Sequence, residues 1–412
     1  MFGILRPVLV LLLAVFLLMA GNGPLGTLIG VRLEASGTSP TVIGLVMASY
    51  FGGLTFGSLF AYRIVTGYGH IRAFTAFASA LSGIALLYAL YFHPLLWGAL
   101  RLSEGFCMAG LFICVESWLN HTATKETRGK VLAFYMICLY SGQAGGQFIM
   151  NLQDASGFLL FVLVSILISF AAIPVALTRV APPAMPHVQG LSFHRLYQAS
   201  PLGMVGTVVS GLVLGSFYSL GPVFARENGL DLSQTGLFMS AVIFGGVLLQ
   251  LPVGRLSDIF DRRLVIVGVL GATAIVSAGT AAVIDPRSAA LYLIALIFGG
   301  VSFALYPLCV AHTNDHLDAT ARVSASGGLI LAYSAGATLG PLLSSVSVTL
   351  VGSAGLFAFT AAISGFALIF GLWRMKARPS PPAEQQGLYQ MLPRTTPVAA
   401  PLDPRAEPGN SE

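Results

Sequence analysis

The sequence predicts an all-α membrane protein with twelve transmembrane helices. Three observations carry this: charged residues make up only 9% of the 412 positions, the mean hydropathy is +0.83, and the apolar residues gather into long runs separated by short polar breaks. Soluble proteins carry roughly 25% charged residues, and a chain that is 56% hydrophobic cannot hide that surface from water. A soluble enzyme is therefore disfavoured. The net charge of +5 does not point to a nucleic-acid partner, because the basic residues sit in small clusters between apolar runs and form no basic face.

A spanning helix needs about 20 mostly apolar residues. In chain order such runs cover 7–31, 40–62, 72–92, 94–119, 131–152 and 157–178, then 202–225, 233–254, 264–284, 288–312, 323–350 and 354–373. The first has Arg6 ahead of a leucine-rich core, like a signal peptide. It lacks an A-x-A cleavage site and stays apolar to Val31, so it reads as an uncleaved span. An even number of spans puts both termini on one side. If that side is the cytoplasm, seventeen Lys and Arg lie inside and three outside (Arg32, Arg226 and Arg287), with Arg101 within a span.

The connection 179–201 is the longest between spans and holds Pro182, Pro183 and Pro186. It divides the chain into an N-terminal six-helix bundle (1–178) and a C-terminal one (202–376). Residues 377–412, with eight prolines and few large apolar groups, are expected to be a disordered cytoplasmic tail.

The halves share features. Gly142 and Gly146 form G-x-x-x-G in span five, and Gly336 and Gly340 repeat it in span eleven at an offset of 194 residues. YRIVTGYGHIR (62–72) and GRLSDIFDRR (254–263) follow equivalent spans. Glycines four apart let helices approach closely, and recurrence at equivalent spans points to parallel repeats, a transporter architecture. In the second loop Gly254 permits close approach, and Asp258 is crowded by Arg255, Arg262 and Arg263. These groups could form a gating latch, or Asp258 could simply cap the next helix.

Ionisable groups deep in a span are costly and suggest function. Arg101, Glu104 and Glu116 qualify, all in span four. Arg101 and Glu104 are i, i+3 neighbours. They either neutralise each other structurally or form a proton-coupling unit in which a change of separation binds or releases a proton. Glu116 lies about 18 Å farther along the axis. It either faces a cytoplasmic vestibule as a further proton-coupling or substrate-binding residue, or pairs structurally with Arg128 or Lys130.

Uncharged candidates for a substrate cavity are Asn22, where Gly21-Asn22-Gly23-Pro24 is expected to break span one, and the four-residue stripe Gln143, Gln147 and Asn151. Interhelical hydrogen bonding explains that stripe as well as ligand contact does. Tyr218 in span seven and Phe303 and Tyr306 in span ten complete the set, although aromatics in spans more often pack than touch a ligand. With no clear mid-membrane charge in the second half, a neutral, lipophilic or weakly cationic substrate is favoured. His312, His316, Asp315 and Asp318 read as a solvated loop rather than a metal site. Cys107, Cys114, Cys138 and Cys309 form no C-x-x-C pair. No phosphate-binding loop or hydrolase elbow occurs, so neither enzyme chemistry nor a cofactor is expected.

GRLSDIFDRR resembles the second-half copy of motif A of the major facilitator superfamily, G-x-x-x-D-R-x-G-R-R, with Asp261 where glycine is usual and Ile259 where the first arginine is usual. The first-half copy keeps Gly69 but has Tyr62 for the leading glycine and Thr66 for the acid. RLSEG (101–105) resembles motif B. Gly142–Gly146 partly resembles the exporter motif C, with Gly145 in place of its proline. VESWLN (115–120), TRGK (127–130), GGQF (145–148) and ALYP (304–307) resemble a YcaD-like bacterial branch. The resemblance extends to about residue 376. It implies two pseudo-symmetric bundles that open a central cavity to either side in turn, acting as a monomer in a bacterial inner membrane, with the lipid bilayer, protons and a small-molecule substrate as partners. Partial motif C points to proton-coupled efflux of amphipathic or weakly cationic compounds. A proton symporter importing a metabolite, and a transport-dead sensor signalling through the tail, remain open.

Overall fold

In the computed structural model residues 2–152, 157–178, 191–282, 288–377 and 386–405 are described, and every regular element among them is helical. The elements are α1 (Phe2–Ala35), α2 (Pro40–Phe60), α3 (Tyr62–Tyr68), α4 (His70–Leu90), α5 (Pro94–Thr122), α6 (Arg128–Gly146), a 3-10 turn (Gln147–Asn151) and α7 (Leu159–Ala176). After them come α8 (Phe193–Ala199), α9 (Pro201–Glu227), α10 (Leu232–Ile259), α11 (Arg262–Ala282), α12 (Ala290–Asn314), α13 (Ala319–Val351), α14 (Gly355–Ala377) and a second 3-10 helix, Pro397–Leu402. Eleven of the described helices are long and apolar enough to cross a bilayer. Helix α6 falls short of that group because Arg128, Lys130, Ser141 and Gln143 dilute its apolar content. Large apolar side chains such as Phe366 (67% exposed) and Ile275 (74%) point outward, an arrangement stable against hydrocarbon and costly in water.

Packing groups the helices into two sets. Helix α1 lies on α6 and α7, α2 on α5, and α4 on α5 and α7; in the second set α9 lies on α13, α10 on α12, and α11 on α12 and α14. The two G-x-x-x-G motifs act alike. A Cβ at Gly142 or Gly146 would strike the α1 backbone at Phe16 and Ala20, and one at Gly336 or Gly340 would strike the α9 backbone at Val208 and Leu212. Each motif thus lets the fifth long helix of its set touch the first, which is the close approach glycine permits.

Helix direction alternates, so the turns near residues 61–69, 123–127, 260–261 and 315–318 share one end, here termed the basic end after Arg63, Arg72, Arg128, Arg262 and Arg263. At the opposite end the two sets touch directly. Gly44 of α2 lies against Ser345 and Pro341 of α13, Gly30 of α1 against Pro222 of α9, and the Thr41 and Thr349 hydroxyls are 3.3 Å apart.

Two expectations differ from what is seen. Span one does not break at Gly21–Pro24: α1 runs unbroken, with α6 and α7 closing on the glycines and Gln147 Nε2 donating to the Gly23 carbonyl at 3.1 Å. Buried neighbours make such a proline tolerable in a membrane helix. The expected disordered tail also differs. Residues 378–385 and 406–412 lie outside the described residues, but 386–405 are folded into the basic end, with Tyr389, Leu392, Val398 and Leu402 buried. Of the linker 179–201, residues 179–190 likewise lie outside the described residues. Its remainder holds α8 and the first residue of α9, with α8 capped by Ser192, whose hydroxyl accepts from the Arg195 backbone N–H.

Candidate functional site

At mid-depth between the two sets lies a cavity of about 140 Å³. Its walls include Asn22, Gly26 and Thr27 of α1, Tyr50 of α2, Arg101 of α5, Tyr140 and Gln143 of α6, Tyr218 of α9 and Tyr333 of α13, and Pro393–Thr395 of the tail also line it. Of the expected cavity residues, Asn22, Gln143 and Tyr218 are on the wall. Phe303 is buried beside it, 5.5 Å from the Tyr140 ring and 6.2 Å from the Tyr218 ring. Tyr306 lies farther back, edge-on to Tyr333 at 5.4 Å. Gln147 is buried on the Gly23 carbonyl instead of facing the cavity. Asn151 is exposed and away from the cavity. The expected stripe fails because the α-helix ends at Gly146 and the chain continues as a 3-10 turn. Three residues per turn, not 3.6, rotate a fourth-residue repeat off the face.

Arg101 and Glu104 meet as an ion pair, Nη1 to Oε1 at 2.7 Å, with side chains 5% and 0% exposed. Glu104 Oε2 accepts from the Tyr88 hydroxyl at 3.0 Å. The Arg101 guanidinium stacks 4.3 Å from the Tyr50 ring centre, and the Tyr50 hydroxyl accepts from Asn22 Nδ2 at 3.4 Å. A chain of contacts therefore runs from the cavity wall to a fully buried carboxylate. A buried charge is tolerated only when paired and hydrogen-bonded, and here both conditions hold.

Glu116 is also buried, and among the described residues its partners are hydroxyls rather than Arg128 or Lys130. Its Oε1 accepts from the Tyr135 hydroxyl at 2.9 Å, and its two oxygens accept from the hydroxyls of Thr395 and Thr396 in the tail. The loop at 254–263 meets the tail too. Arg262 binds Asp315 and, at 3.4 Å, Asp258. Its Nη2 donates to the Gly387 carbonyl at 2.6 Å, while the Gly387 N–H donates to Asp315 at 3.1 Å and the Tyr389 N–H to Asp258 at 2.8 Å. The absence of a side chain at Gly254 leaves room for the Tyr389 ring. Arg255 is exposed, and Arg263 pairs with Asp261 in its own turn at 2.6 Å. Asp315 is thus engaged by an arginine, and no group of three or more His, Cys, Asp or Glu suited to a metal occurs among the described residues. Burial pulls the pKa of Arg405, nearer the tail's end, down, but its two-pronged pairing with Asp403 and the nearby Asp315 and Asp258 carboxylates together leave it raised.

Tyr50, Tyr88, Tyr140 and Tyr333 went unrecognised in the sequence, as did every tail contact. Tyrosine in an apolar helix has no distinguishing local pattern, although Tyr88 and Tyr50 stand out once a buried ion pair must find donors and a ring face.

The profile of the Major Facilitator Superfamily matches residues 11–196 and 203–403. The chain belongs to the major facilitator superfamily. Among its relatives within the superfamily, the MFS-type transporter YcaD of Salmonella paratyphi A is 29% identical over 396 residues, covering 93% of this chain and 100% of the relative. YcaD of Salmonella typhi is 29% identical over 391 residues, covering 92% and 98%. The fold is similar to the crystal structure of the nucleoside transporter NupG, with a TM-score of 0.76 at 14% identity, covering 90% of this chain and 98% of that one. It is also similar to an inward-facing, occupied bacterial homolog of the human lysosomal transporter Spinster, with a TM-score of 0.69 at 16% identity and coverages of 92% and 97%. The superfamily member described here is a membrane transporter, not an enzyme.

Proposed function

We propose that this chain is a twelve-span secondary transporter whose two pseudo-symmetric six-helix bundles rock about the mid-depth cavity, exporting amphipathic or weakly cationic small molecules at the expense of a proton gradient. On this reading α6 is the twelfth span, residues 179–201 link the bundles, and the basic end faces the cytoplasm, as its excess of Lys and Arg favours. The observation that carries the reading is the Arg101–Glu104 pair, with Arg101 on the wall of a cavity between the two helix sets and Glu104 behind it. Rocking changes the surroundings of α5. A carboxylate held by one arginine and one tyrosine can then trade its ion pair for a proton, linking protonation to the side on which the cavity opens. The Asp258–Arg262–Asp315 cluster ties the α10–α11 turn to the end of α12, and acts as the latch that must be undone when the basic end changes shape.

The test uses purified protein in proteoliposomes, with ethidium as the amphipathic cation and an imposed pH gradient. Wild type should move ethidium against the proton flow. Glu104→Gln keeps the shape and the Tyr88 contact but cannot ionise, so it should insert and fold normally while losing pH-driven flux. Full pH-driven flux in that variant removes Glu104 from the coupling role. Movement of solute in the same direction as protons replaces export with import.

A further inference from the structure

The folded tail adds a charged side chain of its own, Arg394, to the cavity wall. The guanidinium carbon of Arg394 lies 4.5 Å from the ring centre of Phe303, 5.6 Å from that of Tyr333 and 6.0 Å from that of Tyr140. Its Nη2 donates to the Tyr140 hydroxyl at 2.7 Å. Nη1 is buried with no hydrogen-bond partner, and Arg394 has no ion-pair partner, among the described residues. Ring faces attract a cation within about 6 Å of their centres. Aromatic faces and one hydroxyl therefore supply the recognition of this charge.

The next two residues supply hydrogen-bond donors. The Thr395 and Thr396 hydroxyls engage both oxygens of Glu116. Arg394–Thr396 thus presents a delocalised planar cation to an aromatic cage, with donors directed at the neighbouring carboxylate. The cage draws Tyr140 from one helix set and Phe303 and Tyr333 from the other, so whatever fills it touches both moving parts.

Size points the same way. The free space of about 140 Å³ is below the roughly 300–1,000 Å³ of ordinary small-molecule sites, and three tail residues form part of its wall. Lifting Pro393–Thr395 out would enlarge it toward the basic end.

Resting on the transport reading above, we propose that the cage of Tyr140, Phe303 and Tyr333, with Glu116 beside it, is the cation subsite of the substrate cavity, occupied here by Arg394 as a built-in pseudosubstrate. The ligand class it selects is an organic cation of guanidinium or amidinium type with donors that reach Glu116. Tail and substrate then exclude each other, and the tail restrains transport until a cation displaces it. Because the competitor is tethered, its effective concentration is high, and only a ligand matching the cage chemistry competes well.

The experiment uses the full-length protein, wild type and Arg394→Gln, titrated calorimetrically with benzamidine, a planar amidinium, and with benzamide, its neutral counterpart. Vacating the cage should tighten benzamidine binding about tenfold in Arg394→Gln, the size of one lost cation–ring competitor, and should leave benzamide unchanged. Phe303→Leu added to Arg394→Gln should cancel the gain, which a general loosening of the tail would not do. Equal benzamidine affinity in wild type and Arg394→Gln overturns the proposal, and so does an equal gain for benzamide. Ethidium flux in proteoliposomes separates the two readings. A benzamidine gain without pH-driven flux leaves the subsite standing and removes the reading of proton-coupled export; intact flux without the gain removes the subsite alone.

Discussion

The two ends of the cavity are bounded by different kinds of contact. At the end away from the tail, helices of the two sets meet side by side, Gly44 on Ser345 and Gly30 on Pro222, mainly through small residues, with a few hydroxyl contacts such as Thr41 to Thr349 and Ser240 to the Ala144 carbonyl. At the basic end a folded peptide segment lies between the sets. It is fastened by hydrogen bonds to Asp258, Arg262 and Asp315 on one side and to Glu116, Asn120 and Tyr140 on the other. Small-residue contact depends on shape and is lost abruptly when the helices separate by an ångström or two, because dispersion falls off steeply. A hydrogen-bonded segment can detach as a unit and return, with water satisfying its groups in the meantime. The difference teaches that one closure is built into the helices and the other is borrowed from the tail, so the two can be broken separately.

The largest expected effect comes from Arg262→Ala. Arg262 and Asp315 are 1% and 2% exposed at the side chain, and removing one partner of a buried pair costs about 3–5 kcal/mol because the other charge is left unpaired. The same change strips the Gly387 carbonyl of its donor. The melting temperature should fall clearly, and limited trypsin digestion should cut at Arg394 and Arg405 much faster than in wild type. Unchanged protection at both arginines would mean that the tail is held without this cluster.

How much of this was legible beforehand varies from region to region. Hydrocarbon imposes a coarse rule on the chain, about twenty apolar residues per crossing, so the helices, the turns and the charge asymmetry could be read directly. The Arg101–Glu104 pair was legible because charge inside a span is rare and a separation of three residues on a helix leaves few alternatives. Asn151 was misplaced because a stripe at four-residue spacing presumes an α-helix, and the change to a 3-10 turn after Gly146 leaves no mark in composition. The tail was misread for a deeper reason. Eight prolines and few apolar residues in 377–412 cannot build a core of their own, yet Tyr389, Leu392, Val398 and Leu402 need none, since the mouth of the cavity supplies one. Docking into a cavity is a property of two surfaces, and local sequence reports on only one of them.

A middle-sized effect should come from the other end. At Gly44 even a Cβ would lie 2.6 Å from the Ser345 side chain, so Gly44→Leu must push α2 and α13 apart. Overpacking of this kind typically costs 1–3 kcal/mol. The variant should lose a few degrees of melting temperature and admit a membrane-impermeant maleimide to a cysteine placed at Asn22. Trypsin protection of the tail should be unchanged, the reverse of the Arg262→Ala pattern. Loss of tail protection in Gly44→Leu would show that the ends are coupled rigidly rather than closed by independent means.

Thr41→Val should do least. Its hydroxyl lies 3.3 Å from that of Thr349 in an exposed position, where water replaces a lost partner and the change stays within about 0.5 kcal/mol. Valine keeps the shape, so the neighbouring contact of Gly44 with α13 is untouched. Melting temperature, maleimide access at Asn22 and ethidium flux should all match wild type within error. A large change in any of the three would mean that this end is held by its polar contact rather than by the close approach of helix backbones, and the contrast between the two ends would collapse into a difference of degree.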